Sequence, residues 1–245
     1  MRPRVSHSNY VRQLWRILTF HDHTLRRYPL EFTVRRAAPY HLRFTTLILK
    51  MFISFLGCDG SGKSAVIAGV AERLRAQGAV VTLGHWRPQA LDGGSNAAAA
   101  TADDPHGQVP RGAISSIFKL GWLWLNWWGG WFRVLRKASM DGVVMFDRYH
   151  ADLLVDPRRY RYGGPIWLSR LASTMMPQPD LVIFLDAEPA VLLSRKQEVG
   201  QEALEQARVK YLSLCQEHSR FQIVDAGLQL ETVIEIVFNL IKKTD

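Results

Sequence analysis

The segment 55-FLGCDGSGKS-64 combines three glycines with a lysine and a hydroxyl residue within ten positions. It fits the pattern GxxxxGK[ST] and stands between an apolar run over 51–57 and a helical pattern over 63–77, which is the context that this motif requires. Glycine permits backbone conformations in which successive amides converge on one anion, and the helix N-terminus adds positive charge. We therefore predict a loop that binds nucleotide phosphates, with Lys63 at the β- and γ-phosphates and Ser64 on Mg²⁺.

Short apolar runs alternate with helical patterns along the rest of the chain, which predicts βαβ units and a parallel sheet. The predicted fold class is α/β, a three-layer α/β/α P-loop NTPase fold with a five-stranded parallel sheet. The predicted strands cover 51–57, 79–86, 142–149, 180–187 and 221–226. The predicted helices cover roughly 63–77, 113–138, 165–176, 189–197, 201–219 and 229–243. Ligands of such sheets bind at the carboxyl ends of the strands, where Gly57, Arg87, Asp147 and Asp186 would lie.

Charge is distributed unevenly along the 245 residues. Residues 1–50 carry a net charge of +8 out of +9 for the whole chain, so the remaining 195 residues are nearly neutral. We interpret 1–50 as a basic N-terminal extension and 51–245 as a P-loop domain. Within that domain, 88–112 has almost no large apolar residues and is predicted to be a flexible insertion, and 113–138 is a tryptophan-rich helical segment.

The two cysteines, Cys58 and Cys215, lie far apart and show no metal-ligand spacing, which favours a reducing, cytoplasmic setting. Apolar runs are too short to predict a membrane span. The basic segment 1–50 mixes arginine with apolar residues, so it is open to several interpretations: contact with an anionic membrane surface, nucleic-acid binding, docking on the domain, or targeting. No nucleic-acid motif is present, so no specific nucleic acid is expected.

The loop alone does not separate kinases from other P-loop proteins, although the [NT]KxD guanine motif of GTPases is missing. Three stretches resemble the thymidylate kinase-like family of P-loop nucleoside monophosphate kinases in order and spacing. They are 55-FLGCDGSGKS-64, 146-FDRYHADLL-154 and 179-PDLVIFLDAEPAVLLSRKQE-198. The resemblance covers about residues 51–243 and implies a kinase that uses ATP and Mg²⁺ to phosphorylate a small acceptor.

The resemblance assigns roles to individual residues. It places Asp147 near the magnesium ion, Arg148 on the acceptor phosphate, Asp59 facing the acceptor's sugar, and Arg87 where the acceptor is oriented. Arg195 and Lys196 correspond to the start of a lid. The predicted catalytic residues are Lys63, Asp147, Arg148 and Arg195. The predicted nucleotide contacts are Gly57, Asp59, Gly60, Ser61, Gly62, Lys63, Ser64 and Arg195. The predicted metal ligands are Ser64 and Asp147.

The acceptor side departs from the family. After "DRY" the chain continues with 150-HADLLVDPRRYRYGGP-165, where thymidylate kinases commonly have a serine and an Ala-Tyr-Gln segment. The arginines and tyrosines of 158–162 could bind a second phosphate or stack on a ring, or could form a solvated turn. The predicted acceptor contacts are Asp59, Arg87, Arg148, Tyr149, Arg158 and Arg161.

These departures leave the acceptor open. A nucleoside monophosphate such as dTMP is the nominal acceptor, and a sugar or lipid-linked intermediate is the alternative; a nucleotide-binding scaffold at a membrane is a third interpretation. Five tryptophans fall in the helical segment, and Trp124, Trp127, Trp128 and Trp131 share one helix face. That face could pack in the core, form a homodimer contact, stack on the acceptor, or touch a membrane surface.

Overall fold

The computed structural model describes residues 50–88, 109–196 and 200–244. The predicted N-terminal extension, except for its last residue, and most of the predicted insertion over 88–112 lie outside the described residues.

A single five-stranded parallel sheet forms the centre of the described chain, with strand order β2-β3-β1-β4-β5. The strands are β1 (Met51–Leu56), β2 (Val81–His85), β3 (Val143–Asp147), β4 (Leu181–Asp186) and β5 (Phe221–Asp225). All six residues of β1 are buried, Ser54 included, which requires cover on both faces of the sheet and explains why the other five are apolar. The predicted P-loop NTPase α/β fold with five parallel strands is thus confirmed.

Helices connect the strands and cover the sheet. They are α1 (Lys63–Ala76), α2 (Ala113–Gly130), α3 (Arg136–Asp141), α4 (Ala151–Val155), α5 (Ile166–Thr174), α6 (Pro189–Arg195), α7 (Gln201–Glu217) and α8 (Leu230–Thr244). The residues Trp131–Leu135 between α2 and α3 are π-helical, so the helical pattern predicted over 113–138 continues through three helical segments. The sequence analysis missed the one-turn helix α4, which is too short to show a 3.6-residue apolar period.

Strand β1 lies between β3 and β4 in the sheet. This order brings the predicted site residues to one edge of the sheet. The register pairs Phe55 with Asp147 and Leu56 with Phe184. The loop that follows β1 therefore lies beside the last residue of β3, as expected for the carboxyl edge of a parallel sheet.

The tryptophan-rich helix contributes to the core through the face that the sequence pattern indicated. Trp127 is fully buried and contacts Phe52, Phe146 and Tyr149 with its ring. Trp124 and Trp131 pack against the same core while partly buried. Core packing thus accounts for Trp127, since burying a ring of this size is among the largest single apolar contributions available to a domain.

The opposite face of α2 and the adjoining face of α5 leave large apolar side chains exposed. The exposed set comprises Ile114, Phe118, Trp122, Leu125, Trp167 and Leu171. The Trp128 indole Nε1 donates a hydrogen bond to the Met175 carbonyl at 3.0 Å, which ties the end of α5 to α2. Exposed apolar surface is typical of interaction sites, and the homodimer and membrane-surface contacts predicted for the tryptophan-rich helix both stay predictions. No helix within the described ranges combines the length and the apolar character needed to cross a membrane.

Candidate active site

The loop between β1 and α1 has the backbone shape that its glycines predict. Gly60 has a φ of 85°, and a Cβ atom on it would lie 2.8 Å from the Leu192 carbonyl oxygen. Gly57 is equally confined, because a Cβ there would lie 2.7 Å from the Ser61 Oγ. Both positions need glycine for conformation and for space. Helix α1 begins at Lys63 directly after the loop, so the positive helix N-terminus adjoins the loop.

Lys63 is held inside this loop. Its ammonium Nζ donates hydrogen bonds to the carbonyl oxygens of Gly57 at 2.9 Å and Cys58 at 3.0 Å. Burial, with Arg148 nearby, lowers the pKa of Lys63 to about 8. Its third partner is the Ser61 Oγ at 3.4 Å, so all of its partners are neutral oxygens that negatively charged phosphate oxygens could replace.

Ser64 and Asp147 come together at the carboxyl edge, as predicted for metal ligands. The Ser64 Oγ donates a hydrogen bond to Asp147 Oδ2 at 3.3 Å. Asp147 Oδ1 is buried and has no hydrogen-bond partner among the described residues. A spare carboxylate oxygen next to a hydroxyl is the ligand chemistry that Mg²⁺ prefers, so these residues fit the ion. No cluster of three or more histidine, cysteine or acidic residues able to hold a metal occurs in the described ranges.

Arg148 occupies a strained backbone position directly after β3. Its φ is 74°, which is uncommon for a residue other than glycine, and strain of this kind is concentrated at functional sites. The buried guanidinium donates from Nη1 to Asp152 Oδ2 at 2.8 Å and from Nη2 to Asp59 Oδ1 at 2.5 Å. The structure thus brings Arg148 next to the phosphate loop, where the sequence analysis placed it.

Asp59 has a second arginine partner that the sequence analysis did not select. Arg159 Nη1 donates to Asp59 Oδ2, so the two carboxylate oxygens bridge Arg148 and Arg159. Burial opposes ionisation of Asp59, but the two guanidiniums outweigh it and lower the pKa of this carboxyl well below its usual range. The run of arginines over 158–161 was the available signal, but sequence alone does not tell which arginine of a turn points inward.

Asp152 is a second residue that the sequence analysis missed. It is 1% exposed and accepts hydrogen bonds from Arg148, from the Tyr211 hydroxyl at 2.6 Å and from the Tyr160 hydroxyl at 3.2 Å. The Tyr160 ring stacks on Trp86 with centroids 4.0 Å apart. Asp152 therefore fixes Arg148 from the side away from the loop, and it also anchors the aromatic pair above the end of β2.

A cavity of about 570 Å³ lies beside these groups. Gly57, Asp59, Arg148 and Arg158 line it, so four of the predicted site residues face one space. Further polar groups in its wall come from Asp152, Asp156 and Arg159 and, on α7, from Glu202, Gln206, Lys210 and Tyr211. This cavity joins the phosphate loop to the arginines that follow β3.

Three of the predicted arginines do not line this cavity. Arg87 is exposed, with its guanidinium 5.5 Å from the centroid of the Trp122 ring. Arg161 donates from Nε to the Val109 carbonyl at 3.2 Å. Arg195 is exposed at the end of α6 and donates to the Ala226 carbonyl at 3.0 Å. The roles of these three arginines stay predictions.

The predicted acceptor contact of Tyr149 is corrected by the structure. Tyr149 is buried against Phe52 and Trp127, and its hydroxyl donates to the Pro177 carbonyl at 2.7 Å. The left-handed backbone of Arg148 turns the chain at this point, so Arg148 faces the cavity and Tyr149 enters the core. A residue that is adjacent in sequence is thereby excluded from the site.

His150 gives the site region a pH-dependent stability. Its ring is fully buried, Nε2 contacts the Ser169 carbonyl at 3.1 Å, and burial lowers its pKa to about 4. The unfolded chain therefore binds a proton below about pH 6.5 that the folded chain does not accept until about pH 4. Stability should be unaffected by His150 above this window and should fall by about 3 kcal/mol as the pH decreases through it.

Urea unfolding of the chain and of His150→Gln between pH 4 and pH 7.5 measures this effect. We expect the free energy of unfolding to fall less steeply with decreasing pH in His150→Gln, because glutamine does not titrate. Parallel curves for the two proteins across this range would contradict a buried neutral histidine.

Comparisons with known proteins bear on this arrangement. The thymidylate kinase family model matches residues 133–237, a range that contains Asp147 and Arg148. A probable thymidylate kinase of Sulfolobus acidocaldarius is 25% identical over 205 residues, which cover 77% of this chain and 95% of the relative. A probable thymidylate kinase of Pyrobaculum aerophilum is 27% identical over 212 residues, covering 78% and 96%. A thymidylate kinase of Polaromonas sp. is 64% identical over 33 residues, which are 14% of this chain and 15% of the relative. These matches support the thymidylate kinase-like family and the kinase activity predicted from the sequence.

Proposed function

We propose that the chain is a kinase of the thymidylate kinase-like family that transfers the γ-phosphate of ATP to a nucleoside monophosphate such as dTMP in a Mg²⁺-dependent reaction. One observation carries this proposal: the first residues of the phosphate loop, Gly57 to Asp59, and the buried Arg148 line the same cavity. A donor phosphate and an acceptor phosphate can then meet between them. The reaction is proposed to take place in the cytoplasm, with the small acceptor as the partner.

Each group has a separate task in this proposal. Loop amides and Lys63 hold the β- and γ-phosphates, because backbone amides and an ammonium group offer donors without competing acceptors. Ser64 and Asp147 hold Mg²⁺, which neutralises phosphate charge when bound. Arg148 holds the acceptor phosphate through a planar fork of donors. Positioning and charge neutralisation provide most of the catalysis in phosphoryl transfer, so the protein does not need a nucleophilic side chain of its own.

A non-nucleotide acceptor is the second candidate, and the aromatic pair above β2 favours it. Trp86 and Tyr160 stack on each other and pack with Leu120, Leu153 and Tyr162 in a second apolar cluster. The chain's own rings therefore occupy space next to Arg148 that an acceptor ring would otherwise use. A sugar phosphate or another acceptor without a large aromatic ring would leave this cluster undisturbed.

An acceptor screen tests the proposal. The purified chain is mixed with MgATP and one candidate at a time: dTMP, dUMP, other nucleoside monophosphates, and sugars with or without a phosphate. We expect ADP release to rise above the rate without acceptor for at least one nucleoside monophosphate. The Lys63→Ala variant, purified in the same way, controls for contaminating kinases. Release with a non-nucleotide alone would select the second candidate, and release with none of them would contradict both.

A further inference from the structure

Asp59 bridges two arginines that come from different parts of the chain. One carboxylate oxygen accepts from Arg148, which follows β3, and the other accepts from Arg159, which lies in the turn after α4. The three side chains are only 10–20% exposed, so water weakens these contacts little. The arrangement is a single carboxylate held between two guanidinium groups.

The two arginines are anchored differently. Arg148 is fixed by Asp152, whose oxygens also accept from two buried tyrosine hydroxyls. The Arg159 backbone amide donates to Asp156 Oδ1 at 3.2 Å, which holds the turn, while its side chain pairs with Asp59. Without Asp59, Arg148 would keep its pair with Asp152, and the Arg159 backbone would keep its hydrogen bond to Asp156.

Such a pair matches a phosphoryl group better than it matches a carboxylate. A phosphate monoester presents three oxygens and up to two negative charges, and arginine recognises it through two parallel hydrogen bonds. The cavity beside the pair is lined by Asp59, Arg148 and Arg159, so a ligand can reach all three. Asp59 belongs to the phosphate loop and can leave the pair without unfolding a helix or strand.

We propose that Arg159 is an acceptor-binding residue, which forms with Arg148 a two-arginine seat for the acceptor's phosphate, and that Asp59 occupies this seat until the phosphate displaces it. The inference rests on the proposed kinase function and deepens it. It adds Arg159 to the site and gives Asp59 a role as an exchangeable anion. It also selects acceptors that already carry a phosphate monoester over neutral sugars.

Binding of a minimal probe tests the seat without knowledge of the true acceptor. Methyl phosphate, a dianion at pH 8, is titrated into the chain saturated with the ATP analogue MgAMP-PNP, by ligand-observed NMR. Methyl sulfate, of the same shape with one charge, is the matched probe. We expect methyl phosphate to bind more tightly than methyl sulfate. Arg159→Gln should weaken methyl phosphate binding about 10- to 100-fold, the usual effect of losing a charged hydrogen-bond pair.

Two more variants separate a binding role from a structural one. Arg159→Lys keeps the charge and loses the fork, so its affinity should lie between those of the chain and Arg159→Gln. Asp59→Asn should bind methyl phosphate more tightly than the unmodified chain, because the displaced competitor no longer carries a charge. If these residues only supported the packing of the site, Arg159→Gln and Asp59→Asn would both weaken methyl phosphate binding. Tighter binding by Asp59→Asn is therefore the decisive result.

Arg170→Gln is the control for removing one positive charge, because this arginine is exposed on α5. It should leave methyl phosphate affinity unchanged. The seat is overturned if Arg159→Gln binds methyl phosphate as the unmodified chain does, if Asp59→Asn weakens binding, or if the unmodified chain shows no millimolar binding at all. The proposed kinase function is tested separately by turnover with MgATP, so either can fail while the other stands.

Discussion

Replacing Lys63 by alanine is expected to reduce turnover with MgATP about 1000-fold or more, while the chain remains folded. The ammonium lies against the loop backbone, and losing one positioned donor to a developing charge typically costs 100- to 1000-fold in rate. Lys63 would also contribute to binding the triphosphate in the ground state, which adds to the loss. The measurement is kcat from ADP release with the acceptor found by the screen.

Circular dichroism and thermal unfolding of Lys63→Ala show whether turnover is lost through the missing ammonium group or through unfolding. The variant removes a buried cation whose hydrogen bonds go to loop carbonyls, so we expect the helices and the sheet to persist. Lys137→Ala, on the exposed face of α3, is the matched control and should keep full turnover. Turnover by folded Lys63→Ala at the rate of the unmodified chain would refute the proposed role of the loop.

Replacing Arg148 by alanine is expected to lower kcat/KM for the acceptor about 100- to 1000-fold and to change the affinity for MgADP less than about threefold. The acceptor loses a charge-assisted, two-pronged contact, whereas the donor phosphates keep the loop and Lys63. Steady-state kinetics with varied acceptor, together with calorimetric titration of MgADP, separate the two effects.

Arg148→Ala leaves buried carboxylates without their arginine partner, and Arg148→Lys is the control for this effect. Asp59 and Asp152 would lose a partner in Arg148→Ala, which costs about 1–3 kcal/mol for each unsatisfied buried group. Lysine supplies a charge without the fork, so Arg148→Lys should be more stable than Arg148→Ala and still impaired toward the acceptor. Equal losses of acceptor use and MgADP affinity in Arg148→Lys would show that Arg148 does not discriminate between the two ligands.

Local sequence pattern predicted most of the fold and the nucleotide side of the site. The inner strands β1, β3 and β4 are buried and mostly apolar, and the glycine loop between a strand and a helix has few alternative structures. Ser64 and Asp147 meet because the carboxyl ends of neighbouring parallel strands share one edge of the sheet. The strands and the phosphate loop are each determined by a short segment of sequence. Apolar periodicity and motifs describe segments of this length.

The acceptor side was less predictable because it depends on contacts between segments that are distant in sequence. Arg159 donates a hydrogen bond to Asp59, which is 100 residues away in the sequence. Tyr211 donates one to Asp152, which is 59 residues away. Neither pair belongs to a regular repeat. Tyr149 was assigned wrongly because a single left-handed residue before it reverses the direction of its side chain, and sequence does not indicate such a φ outside glycine.

The central claim is that the loop around Gly60 and Lys63 binds nucleotide phosphates next to Arg148. A crystal structure of the chain with MgAMP-PNP tests it most directly. We predict phosphate oxygens at the loop amides, the Lys63 Nζ moved from the Gly57 and Cys58 carbonyls onto them, and Mg²⁺ between Ser64 and Asp147. An empty loop at saturating MgAMP-PNP, with Lys63 still bonded to those carbonyls, would contradict the account.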